Sequence, residues 1–377
     1  VNDDDLSELL GKDLPLQQPM SLHKNAQIIL DKYTNKYSDS DSNDVLIGRA
    51  RNAVLSTAKD GREACTEDAM CFWGCDKQAI YSAGQELQLL MKFENFNYLD
   101  KSFVEKIEKF EGDYKVYCRD VDGIKNSDSF TCGRVLLAAG TIGSTILAMR
   151  LLEIFDKEVP LICHPAYAKL FLIPKRLGHP LTENKFALGQ LAYKIKDRDN
   201  PKDYVFGVLF ALEGLLAQDI ARHMPFTVSN SIQLTKILTP SLAVANGYLS
   251  GDYANATIKI DSVLGRVVIN GGRTKSFHKK MKWATNKLSK MMSSLGALPM
   301  PFGTRIATLG SDGHFAGTFP MTKGNIKNTT SPDGELRGAA GVYMVDGSSI
   351  PYLSGKHPTF TIMANANRIS KEIVKND

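Results

Sequence analysis

A chain of 377 residues with 43% hydrophobic content can bury a large core and is long enough for two domains. Its 46 basic and 41 acidic residues leave a net charge of +5, too balanced for a nucleic-acid binder, and no basic stripe is interleaved with stacking aromatics. No apolar run approaches the roughly 18 residues of a membrane span, and six cysteines are too sparse for a disulfide scaffold.

The opening residues carry no secretory apolar stretch, and the chain starts with Val1 rather than Met. The true amino terminus is therefore not visible, which leaves localisation open, the cytoplasm slightly favoured. Residues 1 to 50 are polar, from VNDDD through KYSDSDSND at Lys36 to Asp44. They read as helical pieces joined by a solvated loop. Residues 95 to 138 read as a β-meander, with FNYL, VEKIEKF and DYKVYCRDVDG as strands and Glu111-Gly112 and Asp122-Gly123 as turns. RVLLAAGTIGST follows, Arg134 to Thr145, a run apolar on both faces as a buried parallel strand requires. Gly140 and Gly143 let the turn pass close to a ligand before the helix ILAMRLL.

The middle of the chain has a different texture. FALGQLAYKIKD and DYVFGVLFAL read as adjacent strands separated by a turn at Asn200-Pro201, and ATIKID with RVVING reads as a hairpin around Leu264-Gly265. Residues 274 to 295 form a helix: Phe277, Met281, Ala284, Leu288, Met291 and Leu295 recur at steps of three and four, and Gly296 can end it. Its other face carries Lys275, Lys279, Lys280, Lys282, Lys287 and Lys290 and reads as solvated, with an acidic partner as the alternative.

Two stretches near the end place histidines in loops rich in Gly, Pro and Thr: GHFAGTFPM with His314, and VYMVDGSSIPYLSGKHPTFTIMANA with His357. In the second, a strand ends at Asp346-Gly347, the way an open α/β sheet presents polar groups to a ligand at the carboxyl ends of its strands. The order of elements suggests a nucleotide-binding domain, 1–150 and 307–377, interrupted by a substrate domain, 151–306. The expected class is α/β, or mixed α+β: a Rossmann-like domain beside a domain with a mixed or antiparallel sheet and helices.

These late motifs, the AAGTIGST turn and the stretch RARNAVLSTAKDGREACTEDAMCFWGC (Arg49 to Cys75) together resemble the glucose–methanol–choline (GMC) family of flavin-dependent oxidoreductases. The resemblance implies oxidation of an alcohol, a sugar or polyol among the candidates, with flavin adenine dinucleotide (FAD) as hydride acceptor. It implies His314 as general base and His357 as the second active-site residue. An alcohol gives up hydride as its hydroxyl proton leaves, so a base must sit within roughly 3 Å of that oxygen; a second polar group can orient the oxygen and steady the developing alkoxide. The bland alternative is that each histidine merely satisfies a loop. Cofactor contacts are expected at Ala139, Gly140, Gly143 and Ser144, at Asp346 and Gly347 near the ribityl and pyrophosphate portion, and at Pro358 and Thr359, where a helix start would face the flavin ring. The reoxidant, whether oxygen, a quinone or a cytochrome, stays open.

The pattern departs from the family at its start. Thirty glycines include no G-x-G pair, so the dinucleotide-binding unit that grips adenosine is expected on a missing amino-terminal segment or a partner chain. A relative that has lost its cofactor and serves as a flavin-free binding or scaffold protein is the competing reading. Cys65, Cys71 and Cys75 are spaced Cys-x5-Cys-x3-Cys and could ligate a metal. Some bacterial dehydrogenases of the family look similar here and carry a 3Fe-4S cluster; free or buried thiols are the alternative. Zinc fits less well, since no fourth Cys or His lies close by and His23 is far away. Cys118, Cys132 and Cys163 read as core.

Overall fold

The computed structural model describes residues 4–37, 42–123, 128–180, 186–212, 221–222, 224–311 and 313–375. The fold is mixed α/β and divides into two compact units, one of Val1–Phe96, Ala166–Leu249 and His278–Ala307, the other of Asn97–Pro165, Ser250–Phe277 and Thr308–Asp377.

The first unit is built on an antiparallel sheet ordered β1 (Val45–Arg49), β8 (Leu191–Ile195), β9 (Val205–Ala211), β10 (Leu242–Tyr248), β7 (Ala166–Leu172) and β13 (Leu298–Ile306). The adjacent strands expected at FALGQLAYKIKD and DYVFGVLFAL are β8 and β9, paired Leu191↔Leu209 through Ile195↔Val205. Gly207 and Gly247 face each other across β9 and β10. A Cβ on Gly247 would stand 2.5 Å from Tyr167 Cζ and from Tyr193 Oη. The missing side chains thus make room for two fully buried tyrosines whose hydroxyls hydrogen-bond each other at 2.9 Å. The helix Lys24–Lys36 buries Ile29 and Tyr33 and packs on β1 and β9. Strand β1 departs from the expected helix-and-loop reading of the first fifty residues: VLIG is buried throughout and pairs with β8. Residues 38–41 of the expected loop lie outside the described residues.

The expected helix at 274–295 forms over Phe277–Ser294. Met281, Ala284, Leu288 and Leu295 are buried, and Gly296 ends the helix at φ +81. Lys280 corrects the expectation of a wholly solvated opposite face. Its side chain is 7% exposed, and its ammonium pairs with Asp197 at 2.6 Å and Asp203 at 2.7 Å while lying 4.4 Å from the centre of the Trp283 ring. The other tryptophan, Trp73, is exposed.

The second unit carries the expected meander: β2 (Ser102–Phe110), β3 (Asp113–Asp120) and β4 (Asp128–Cys132) in an antiparallel sheet. Glu111 and Gly112 both take positive φ, +49 and +94, as the tight turn of a twisted hairpin requires. FNYL, by contrast, forms no strand. A second sheet runs β12 (Val267–Asn270), β11 (Ala256–Ile260), β6 (Val159–Cys163) and β14 (Phe315–Ala316), and includes the expected hairpin. Strand β5 (Val135–Leu137) pairs in parallel with β15 (Val342–Met344) and leads into the helix Gly140–Leu151. Among the described residues this parallel sheet has two strands, so Leu137 is buried while Leu136 stays exposed, short of the burial on both faces that the run suggests. Leu137, Leu147, Met149, Val159, Ile258, Phe319, Val342 and Met344 share one core, each contributing about 1.5–3 kcal/mol when fully buried.

These pairings move the unit boundaries away from the expected 1–150 with 307–377 against 151–306. Strands β6 and β11 fall inside the expected substrate block but share a sheet with β14, whereas β1, inside the expected nucleotide block, pairs with β8. No helix among the described residues is long and apolar enough to cross a membrane.

Candidate active site

Strand register within the second unit builds the site. Strand β14 is antiparallel to β6 with Phe315 opposite Cys163 and Ala316 opposite Ile162. One residue further along the same register stand His314 and His164, whose side chains therefore meet as a cross-strand pair. Their Nδ1 atoms are 3.0 Å apart and their ring centres 5.2 Å apart. On its other side His314 meets His357, ring centres 5.5 Å apart and planes at 63°. The loop that carries His357 also supplies the Ser354 carbonyl, to which His164 Nε2 donates at 2.5 Å. Three imidazoles from three separate segments are thus gathered in one place, two of them expected and one not.

Burial sets the protonation of the outer two. Desolvation, then the neighbouring His314, holds the His357 imidazole down at about 4. The same causes in the same order bring His164 to about 3. Both rings are therefore neutral at neutral pH, as an acid–base site of uncharged imidazoles requires.

Beside these rings lies a cavity of about 400 Å³, within the usual range for small-molecule sites. Its walls are the turn Ala139 to Gly143, the segment Gly313 to Phe315, and Pro358, Thr359 and Ile362. The first turns of two helices, Gly140–Leu151 and Thr359–Lys375, therefore border it, and their partial positive ends favour electron-rich groups. Gly140 takes φ +77, and a Cβ built on it meets nothing within 4 Å, so the turn leaves open space there. A cavity of this size, flanked by a glycine turn, two helix starts and the His314 imidazole, has room for the ring end of a flavin.

The other expected cofactor residues hold the cavity's frame. Ser144 donates to Asp346 Oδ2 at 2.5 Å and accepts the Ala139 amide at 3.0 Å. Asp346 also accepts from the Ser348 amide at 2.9 Å and the Ser348 hydroxyl at 2.5 Å; its carboxylate is thus spent on the turn that follows β15. A Cβ on Gly347 would stand 2.4 Å from Thr141 Oγ1 and 2.7 Å from the Phe315 carbonyl. Thr141 donates to that carbonyl at 2.8 Å, so Gly347 packs where the two segments bond and leaves no room for a side chain. A Cβ on Gly143 would lie 3.2 Å from the Ala139 methyl, inside the turn itself.

Sequence reasoning missed His164. The available signal was a His-Pro pair directly after an apolar strand, the same pair that marks His357-Pro358.

The cysteine motif belongs to the first unit. Cys65, Cys71 and Cys75 are free thiols around one small cavity, with Asp68, Asp76 and Lys77 also on its walls. That cavity measures about 10 Å³, room for about one water, and among the described residues no three His, Cys, Asp or Glu side chains are arranged to hold a metal. The geometry does not fit the 3Fe-4S cluster expected there. Burial raises the Cys65 thiol pKa, which disfavours the thiolate a metal needs. Of the three cysteines read as core, Cys118 and Cys163 are buried and Cys132 is half-buried.

Residues 274–366 match the family described as GMC oxidoreductase. Over 94 residues, 25% of this chain, the sequence is 30% identical to 6'''-hydroxyparomomycin C oxidase of Streptomyces lividus; the match spans 17% of that oxidase's length. The fold is similar to the crystal structure of pyridoxine 4-oxidase from Mesorbium loti, with a TM-score of 0.59 at 13% identity, over 96% of this chain and 72% of that one.

Proposed function

We propose that the chain is a GMC-type oxidoreductase, as the match of residues 274–366 to that family supports, and that it contributes the acid–base and flavin-ring site of a flavin-dependent alcohol oxidation. Bound flavin supplies the two-electron acceptor for the hydride. His314 takes the hydroxyl proton of the alcohol, and His357 holds the alcohol oxygen in place and donates to it as negative charge develops. The helix starts at Gly140 and Thr359 stabilise added negative charge on the ring system they border. The observation that carries this reading is the edge-on pair of His314 and His357, ring centres 5.5 Å apart, beside a 400 Å³ cavity walled by the glycine turn.

The substrate is an alcohol, with sugars and polyols the first class to try. Adenosine-side contacts fall to an amino-terminal dinucleotide unit, on the same polypeptide or a partner, because no G-x-G pair exists in these residues. The competing reading, a flavin-free scaffold, is separated by one measurement on the full reading frame. Purified protein should be yellow, with absorbance near 450 nm that bleaches anaerobically on addition of an alcohol. The variant H314A should retain the colour and lose bleaching by about 10²–10⁴-fold, the usual worth of a general base. A colourless full-length protein, or unchanged bleaching in H314A, would overturn the reading.

A further inference from the structure

The pairing of His164 with His314 determines more than position. The Ser354 carbonyl only accepts hydrogen bonds, so His164 Nε2, 2.5 Å away, must carry a proton. His164 is 0% exposed and its burial holds the ring neutral, so its Nδ1 bears a lone pair. The Nδ1 of His314 lies 3.0 Å from that lone pair and must therefore be the donor. In its neutral form His314 holds one proton, so its lone pair is then left at Nε2, on the far edge of a ring that also lines the cavity.

We propose that His164 is a positioning residue that fixes His314 in its Nδ1–H tautomer and so makes Nε2 the basic nitrogen. The chain of donors runs from His314 Nδ1 to His164 Nδ1 and from His164 Nε2 to the Ser354 carbonyl. Both ends are anchored by backbone: the β6–β14 register sets His164 against His314, and Ser354 lies in the loop that delivers His357. An imidazole in this place does for His314 what a carboxylate or carbonyl partner does for other catalytic histidines, orienting the ring and choosing its tautomer, without putting a charge beside the base. As His314 accepts the substrate proton at Nε2, its Nδ1–H bond to the His164 lone pair strengthens, which stabilises the imidazolium where it forms. The role of Nε2 rests on the reading of His314 as the base; the tautomer itself does not.

The test uses the full chain labelled with ¹⁵N-histidine and long-range ¹H–¹⁵N correlation at neutral pH, the His314 signals being identified by their loss in H314A. The expected spectrum shows His314 protonated at Nδ1 and His164 protonated at Nε2. In H164N the side-chain carbonyl still accepts, and His314 should keep its tautomer; in H164L it should shift toward Nε2–H. In the flavin-loaded protein, H164L should lower kcat by about 10²-fold with KM little changed, and H164N should restore most of it. A wild-type His314 protonated at Nε2, or a tautomer unmoved in H164L, overturns the proposal; the wild-type spectrum decides this even if H164L fails to fold. A switched tautomer with unchanged kcat overturns the positioning role together with the base reading of His314, so the two failures are told apart.

Discussion

Ser144 donates its hydroxyl to Asp346 at 2.5 Å, across 202 residues of sequence. This bond joins the start of the helix after β5 to the turn after β15, the two segments that the parallel pairing of β5 and β15 already brings side by side. Both residues are buried, so neither group can turn to water when its partner is lost. Ser144→Ala should cost about 1–3 kcal/mol, the penalty of a buried acceptor left short of a donor. Hydrogen exchange of the Ala139 amide, which loses its acceptor in the same variant, should quicken; unchanged exchange would show that the bond carries no strength.

Gly140 and Gly347 should respond differently to alanine. Gly140 has open space for a methyl but takes φ +77, so Gly140→Ala should cost about 1–2 kcal/mol of backbone strain. Gly347→Ala drives a methyl into Thr141 and the Phe315 carbonyl, an overpacking cost of about 1–3 kcal/mol. Because Phe315 adjoins His314, the second variant should also lose alcohol-driven flavin bleaching, and the first should lose less. Thermal unfolding and the bleaching assay together check the order.

The depressed His357 imidazole makes an acid-sensitivity prediction. Between its folded value of about 4 and the ordinary 6.5, the unfolded chain binds a proton that the folded chain does not. Its contribution is therefore fully present above about pH 6.5 and is lost as pH falls toward about 4. The gradient it adds is at most about 1.4 kcal/mol per pH unit. His357→Asn should flatten the fall in stability over that window relative to wild type, measured by hydrogen exchange of the helix Thr359–Lys375. Parallel curves would count against the depressed value.

Lys280 is a buried cation with two carboxylates, and Lys280→Met should leave Asp203, itself 9% exposed, without its ammonium. Breaking such a pair from one side costs about 3–5 kcal/mol. Urea unfolding should show it, and adding Asp197→Asn and Asp203→Asn to the methionine variant should recover most of the loss.

The thiols of Cys65, Cys71 and Cys75 should bind no stoichiometric iron. Anaerobic purification followed by iron and sulfide analysis checks this, and three irons per chain would show that the segment rearranges around a cluster.

Much of the fold is legible from local pattern. The Phe277–Ser294 helix, the β11–β12 hairpin and the meander announce themselves by periodicity and turn residues, because each satisfies its backbone within a short stretch of chain. Of the site, His314 and His357 stand out through Gly- and Pro-rich motifs. What stays hidden depends on partners far away in sequence. Strand β1 is a short apolar run whose hydrogen bonds come from β8, roughly 150 positions on. Lys280 sits among lysines that are exposed or half-buried, and Asp197 and Asp203 mark it as the buried one. His164 becomes meaningful once the β6–β14 register sets it opposite His314.

The cation held against Trp283 has a practical corollary. Both tryptophans of the chain, Trp73 and Trp283, fall within the first unit, and the histidines of the candidate site fall within the second. Both indoles that could emit therefore sit in the first unit. A fluorescence melt would register the Lys280 variants, whereas the unit that holds His314 carries no tryptophan and calls for a probe placed on that side.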